Sequence, residues 1–162
     1  MKGLIIFSTI SLVLLTSCYS TKKIPITFSE PITKTYDVSG TKDELFLKSN
    51  LWMVTTFNDA RSVIQYSDKA EGVLTGKYLL KYTPSAYKVP EEVIYAIIEI
   101  RVKDGKAFIS IKPNDWNYNQ MYNPAGQEYG KTVKYSKEMA IADIDILCNS
   151  YIKRLQTVNS EF

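Results

Sequence analysis

Residues 94–112, IYAIIEIRVKDGKAFISIK, predict a β-hairpin that decides the fold of this chain. Asp104-Gly105 divides the stretch into two alternating halves, and this dipeptide favours the type I′ turn, in which both central residues have positive φ. A two-residue turn fixes the register, so that Lys103 faces Lys106. The apolar pairs that follow are Val102 with Ala107, Ile100 with Ile109, and Ile98 with Ile111. One face of this hairpin is therefore expected to form the core of the domain.

Further strands and two helices flank the hairpin. Thr41-Lys42-Asp43-Glu44 is typical of a capping box and predicts a helix to about Phe57, while a 3.6-residue apolar stripe predicts another from about Lys137 to Leu155. Shorter strands are expected within residues 33–40, 63–67 and 73–82. The order β-α-β-β-β-β-α predicts an α+β domain with a single antiparallel sheet and both helices on one face.

The first helix carries apolar residues around most of its circumference. One broad side is expected to face the sheet, and it consists of Phe46, Leu47, Leu51, Met53, Val54 and Phe57. Leu45 and Trp52 project from the opposite side, so a second element or a partner must cover them. Packing within the core is the favoured explanation.

The N-terminus has the pattern of a bacterial lipoprotein signal. Lys2 precedes an apolar run that ends at Leu15, about a dozen residues long, whereas a membrane span needs about 20. The run ends in Leu15-Thr16-Ser17-Cys18, which is typical of a lipobox, where the cysteine is acylated (for example with palmitate) and becomes the first mature residue. We expect a signal peptide at 1–17, a lipidated N-terminus and tether at 18–31, and one domain at 32–162. Tyr19, rather than an aspartate, in the second mature position predicts the outer membrane.

Charge and cysteine content restrict the partners. The formal net charge of +3 falls to +2 when Lys2 is removed with the signal peptide. Such a small charge and an export signal together argue against nucleic acid. Once Cys18 carries lipid, Cys148 is the remaining cysteine, so no disulfide can form within the chain and Cys148 is expected to be buried.

The sequence contains no histidine, which removes the histidine-dependent nucleophile systems and metal sites. Two carboxylate pairs remain. Glu91-Glu92 is typical of a solvated entry to a strand, and Asp143 and Asp145 lie about 200° apart on a helix, so they cannot converge on one bond. We therefore predict no catalytic residue, metal site or cofactor, and we expect that the protein is not an enzyme.

The sheet face opposite the core is the candidate binding surface. Alternation places Lys106 and Lys112 there together with Leu79 and several residues predicted to bind, while Glu99 is the one central acid. The predicted binding residues, including three aromatics expected to edge the face, are Lys77, Lys81, Arg101, Lys103, Phe108, Trp116, Tyr118 and Tyr122. A basic face of this kind predicts an anionic envelope component, such as a polysaccharide, a lipid headgroup or an acidic protein. The alternative is a solvated lysine face that prevents edge-to-edge aggregation.

Three stretches resemble a known family. They are GTKDEL at residues 40–45 before a helix with Trp52, GVLTGK at 72–77, and VKDGKAF at 102–108. The family is domain of unknown function 4468, found in bacterial envelope lipoproteins with a TATA-binding-protein-like (TBP-like) fold. The resemblance covers about half the chain and implies the architecture. It implies no activity and no DNA binding.

These features favour a lipid-anchored, non-catalytic binding or interaction module of the cell envelope. Two alternatives remain open. A structural subunit of an envelope complex would use Leu45, Trp52 and the aromatic segment as its contact surface. A carrier of lipid or other amphiphiles would need the sheet and the helices to part and form a cavity.

Overall fold

The computed structural model describes residues 19–57, 63–83, 92–132 and 135–157. The expected signal peptide and Cys18 lie outside the described residues. Within the described residues the elements are β1 (Ser20–Ile26), β2 (Ile32–Asp37), α1 (Lys42–Thr56), β3 (Ile64–Asp68), β4 (Val73–Thr83), β5 (Glu92–Lys103), β6 (Lys106–Pro113), β7 (Trp116–Tyr122), β8 (Glu128–Thr132) and α2 (Lys137–Gln156). Neither of these two helices combines the length and the apolar character that a membrane span requires.

Five strands form one antiparallel sheet in the order β2-β6-β5-β4-β3. The β5–β6 hairpin lies at its centre and has the predicted register, with Lys103 opposite Lys106. Gly105 has a φ of 74°, in the left-handed region that the turn requires. The predicted apolar face is confirmed, because four of its isoleucines are at most 1% exposed: Ile98, Ile100, Ile109 and Ile111.

Both helices pack against this apolar face and share one core with it. The predicted capping box of α1 is confirmed: the Thr41 side chain accepts from the Glu44 amide at 3.3 Å, and the Glu44 carboxylate accepts from the Thr41 amide at 2.8 Å. Helix α2 is capped by the Ser136 hydroxyl, which accepts from the Met139 amide at 3.2 Å. Its buried stripe consists of Ala140, Ile144, Cys148, Tyr151 and Leu155.

The orientation of α1 differs in part from the prediction. Leu45 and Trp52 are buried, as expected for core packing, because α2 covers this side: the Trp52 ring lies 4.9 Å from the Tyr151 ring. Since α1 is held between the sheet and α2, its buried stripe is shared by two neighbours and is rotated away from the predicted side. Three residues expected to face the sheet are consequently 41–64% exposed: Leu47, Leu51 and Val54.

The prediction of a single sheet is wrong, because β1, β7 and β8 form a second antiparallel sheet in the order β1-β7-β8. Strand β1 lies in the segment expected to be a tether, and β7 and β8 lie in the aromatic segment without clear periodicity. These strands carry polar residues on both faces, so they lack the apolar–polar alternation that predicts a strand. Backbone pairing joins β1 to β7, from Ser20 opposite Tyr122 to Ile26 opposite Trp116. Pro25 is tolerated because β1 is an edge strand.

A second, smaller core joins the two sheets. It contains Phe28, Ile94, Trp116, Tyr135 and Ala140. Only two residues separate β6 from β7, and the amide of the first of them, Asn114, donates to the carbonyl oxygen of Tyr95 at 2.8 Å. The three-stranded sheet therefore starts directly where β6 ends.

Candidate functional site

The open face, which we define as the side of the five-stranded sheet away from the helices, carries part of the predicted site. Its residues are fixed by cross-strand pairing: Lys77 lies opposite Ile97, Arg101 opposite Phe108, and Lys103 opposite Lys106. The sheet thus brings four predicted binding residues onto one surface, namely Lys77, Arg101, Lys103 and Phe108. The Phe108 side chain is only partly exposed on this surface.

Carboxylates pair with two basic side chains of the open face. The Arg101 guanidinium donates to the Glu99 carboxylate, and the Lys106 ammonium donates to the Asp37 carboxylate at 2.5 Å. Exposed pairs of this kind contribute little to stability, but they reduce the positive charge that the face presents. The open face is therefore less basic than strand alternation predicts, since Asp37 joins it through the pairing of β2 with β6.

Lys81 does not share the open face with Lys77. A register shift between Leu79 and Lys81 interrupts the pairing of β4 with β5, and beyond it Lys81 lies opposite Ile94, which is 2% exposed. Residues directly opposite each other project from the same side of a sheet, so Lys81 projects towards the second core. Its ammonium lies 5.5 Å from the centroid of the Tyr135 ring. A β-bulge of this kind reverses the facing of every later residue and leaves no clear mark in the sequence.

The three aromatic residues expected to edge the open face lie elsewhere. Trp116 is 6% exposed, and its indole N–H donates to the carbonyl oxygen of Tyr135 at 2.7 Å, so it is a core residue. Tyr118 and Tyr122 belong to the central strand of the three-stranded sheet, where both are partly exposed. Trp116 is thus separated from the open face by burial, and the two tyrosines belong to the other sheet.

The open face also carries an apolar strip that the predicted site does not include in full. Pairing places Leu79 opposite Tyr95 and Tyr82 opposite Val93, and Ile97 continues the row of alternate residues along β5. The five side chains of this apolar strip are 37–51% exposed: Leu79, Tyr82, Val93, Tyr95 and Ile97. The sequence does indicate this apolar strip. Residues 93–98 are apolar at every position, and such a run predicts a strand that is covered on both of its faces.

Basic side chains border the apolar strip. The Lys77 ammonium lies 4.2 Å from the centroid of the Tyr95 ring, a cation–π contact. Lys112 lies opposite Ile97 in the neighbouring strand. Beside Ile97 and Lys112 an open cleft of about 490 Å³ extends to Phe28 and Asp115. The strip therefore has an aromatic and aliphatic centre with lysines along one border.

Asp143, Asp145 and Cys148 are engaged in structural contacts or buried, whereas the Oε2 atom of the partly buried Glu92 has no hydrogen-bond partner among the described residues. The Asp143 carboxylate accepts from the Tyr135 hydroxyl at 2.7 Å, whereas Asp145 pairs with Lys34 at 2.6 Å. Cys148 is fully buried, and this burial raises the pKa of its thiol. Glu91 lies outside the described residues. Among the residues that are described, no three acidic or cysteine side chains converge as metal ligands would.

Comparison with known proteins identifies the fold. The family model described as domain of unknown function (DUF4468) with TBP-like fold matches residues 33–116. A TBP-like protein from Parabacteroides distasonis ATCC 8503 has a similar crystal structure, with a TM-score of 0.50, 13% identity, and coverage of 85% of this chain and 95% of that one. A DUF4468 family protein from Bacteroides ovatus ATCC 8483 gives a TM-score of 0.42 at 14% identity, covering 82% of this chain and 89% of that one. No curated protein matches the sequence.

Proposed function

Since the chain belongs to the DUF4468 family of TBP-like domains, whose description assigns no activity, we propose its function from its own surface. The protein is a lipid-anchored, non-catalytic interaction module of the bacterial cell envelope, held at the outer membrane, and its open face binds another envelope protein. The Leu15-Thr16-Ser17-Cys18 motif supports the anchor. The apolar strip supports the protein partner.

The apolar strip is the observation that carries this proposal. Five large side chains lie together on one face and remain 37–51% exposed although the domain has two packed cores. Contiguous exposed apolar surface on a folded domain is typical of an interaction site. Tyr82 and Tyr95 add the aromatic character that protein interfaces favour at their centres.

The charges of the open face favour a protein partner over an anionic polysaccharide. Arg101 and Lys106 each have a carboxylate partner, so the centre of the face does not present an uncompensated basic cluster. Lys77 and Lys112 border the apolar strip instead, where they would meet acidic side chains at the rim of an interface. The matching surface is therefore an apolar patch with an acidic border.

The packing of the main core argues against a carrier of amphiphiles. Four core-facing isoleucines of β5 and β6 are at most 1% exposed beneath the helices, namely Ile98, Ile100, Ile109 and Ile111. Leu45 and Met53 of α1 are fully buried in the same core. A ligand cavity would require the layers to separate and to expose these side chains at a cost of about 25 cal/mol per Å². The open face needs no such rearrangement.

Site-specific photo-crosslinking in intact cells tests the proposal. A benzophenone amino acid at Leu79, which is 49% exposed on the open face, should give a discrete protein adduct. The same group at Ile146, which is 67% exposed on α2, is the matched control and should give none. Equal adducts from both positions, or none from Leu79, would contradict the assignment of the open face.

A substitution provides the second arm of this experiment. Tyr82→Ser should reduce the yield of the Leu79 adduct while the thermal unfolding midpoint changes little, because Tyr82 is the most exposed residue of the apolar strip, at 51%. Ile146→Ser should leave the yield unchanged. Fractionation of the same cells tests the anchor separately from the partner.

A further inference from the structure

One end of the three-stranded sheet lies next to the expected lipid attachment site. Strand β1 begins at Ser20, opposite Tyr122, the last residue of β7. The turn at residues 123–127 follows and leads into β8. Cys18 precedes Ser20 by two residues, which span at most ~7 Å of chain. A lipid on Cys18 would therefore hold this end of the sheet, and not a long tether, against the bilayer.

We call this end of the three-stranded sheet the sheet tip. It consists of the turn 123–127 and three tyrosines, namely Tyr19, Tyr122 and Tyr129. Tyr19 is 63% exposed and Tyr129 is 54% exposed, and their rings meet edge to face with centroids 5.7 Å apart. Tyrosine is enriched at membrane–water interfaces, because its ring is apolar and its hydroxyl can remain hydrated. An exposed pair at this position matches the headgroup region.

Three backbone amides of the turn in the sheet tip donate to acceptors within the turn itself. The Asn123 amide donates to the Gln127 carbonyl oxygen at 2.9 Å, and the Gly126 amide donates to the Asn123 carbonyl oxygen at 2.9 Å. The Gln127 amide also donates to the Asn123 side-chain oxygen at 2.9 Å. Because unpaired backbone groups are costly away from water, these bonds suit a turn that enters the interface.

Two basic residues lie two positions further along the strands from the sheet tip. Lys22 lies opposite Gln120, which lies opposite Lys131, so the two exposed lysines share one row of the sheet. That row is about 7 Å from Ser20 along the strand, within a Debye length of the surface. Each lysine there adds electrostatic attraction to anionic lipid. Glu128, opposite Tyr122, is the acidic residue at the tip.

We propose that the sheet tip is a membrane-contact surface seated among the lipid headgroups. The inference rests on the proposed anchor at Cys18 and adds the orientation of the domain relative to the membrane. Strand β1 then acts as a spacer of about 20 Å between the headgroups and the second core. The turn 123–127 lies at the bilayer, and the five-stranded sheet lies away from it.

Depth measurement on the lipidated full chain tests this inference. The protein is reconstituted into vesicles of phosphatidylcholine and phosphatidylglycerol, and a nitroxide is attached at Ala125→Cys in the tip turn. The control label is at Glu71→Cys, in the turn before β4, at the end of the five-stranded sheet opposite to β7. Both positions are exposed, and buried Cys148 should take no label in the unsubstituted protein.

The label at Ala125 should collide with a water-soluble nickel chelate several-fold less often than the label at Glu71. Tyr129→Ser should remove part of this protection, and unchanged protection would overturn the role of the tyrosines. Equal access at both labels, in protein that floats with the vesicles, would overturn the inference while the anchor stands. Protein that does not float would overturn both the anchor and the inference.

Discussion

Replacing Trp116 with alanine is expected to lower the free energy of unfolding by about 3–5 kcal/mol, the range for a large buried aromatic residue. The side chain is 6% exposed and fills the second core. Its ring stacks on Phe28 with centroids 5.9 Å apart and lies 5.7 Å from the Tyr135 ring. The substitution also leaves the Tyr135 carbonyl oxygen without its 2.7 Å donor, which accounts for about 1–3 kcal/mol of the total.

Two further variants separate these contributions. Trp116→Phe retains most of the ring contact but removes the indole N–H, so it should lower the free energy of unfolding by about 1–3 kcal/mol. Asn117→Ala is the matched control on the same strand, because Asn117 is exposed on the other face of the sheet. It should change stability by about 0.5 kcal/mol or less.

Urea unfolding followed by circular dichroism measures all three variants in a soluble form that begins at Tyr19. Circular dichroism is preferred because the substitution removes one of the two tryptophans and alters the fluorescence signal. A loss below about 1 kcal/mol for Trp116→Ala, no larger than an average point substitution, would refute the reasoning. The three-stranded sheet would then not be joined to the domain by a packed core.

Three other substitutions or reactions test separate features. Tyr78→Phe should raise the free energy of unfolding by about 1 kcal/mol at pH 7 in urea unfolding, because no described residue bonds to its buried hydroxyl. Burial raises the pKa of Tyr78, so stability should fall as the pH rises past the ordinary tyrosine value of about 10, and less steeply in the variant. Cys148 should react with an aromatic disulfide reagent only after unfolding, since it is buried and burial raises its pKa. Cys18→Ala should move the protein into the soluble fraction of disrupted cells, and a variant still bound to membranes would contradict the lipid anchor.

The main sheet could be predicted because local rules determine its centre. Asp104-Gly105 fixes a two-residue turn, and each pair that follows is a consequence of that register. The burial of Leu45 and Trp52 could also be predicted, since two apolar residues on the far side of a helix require a second covering element. Helix α2 supplies that cover through Tyr151.

The second sheet could not be predicted, because its strands are specified by pairing and not by an apolar face. The sequence of β1 is typical of a linker, because it contains Lys22, Lys23 and Pro25. Its strand conformation is evident only from its pairing with β7. The same limit applies to Lys81, whose facing depends on a bulge after Leu79 that alternation does not reveal. The sequence also predicts Trp116 at the edge of the open face, because nothing near it in sequence indicates Phe28 and Tyr135 as its neighbours.

The two-residue connection between β6 and β7 affects how the open face meets a partner in the same membrane. A domain on a flexible linker loses orientational freedom when it associates, and this loss opposes binding. Here the second core and the short connection hold the two sheets together as one body. With a lipid at Cys18, every copy would present its open face at a similar angle to the bilayer. Much of the rotational entropy of association would then be removed before the partners meet.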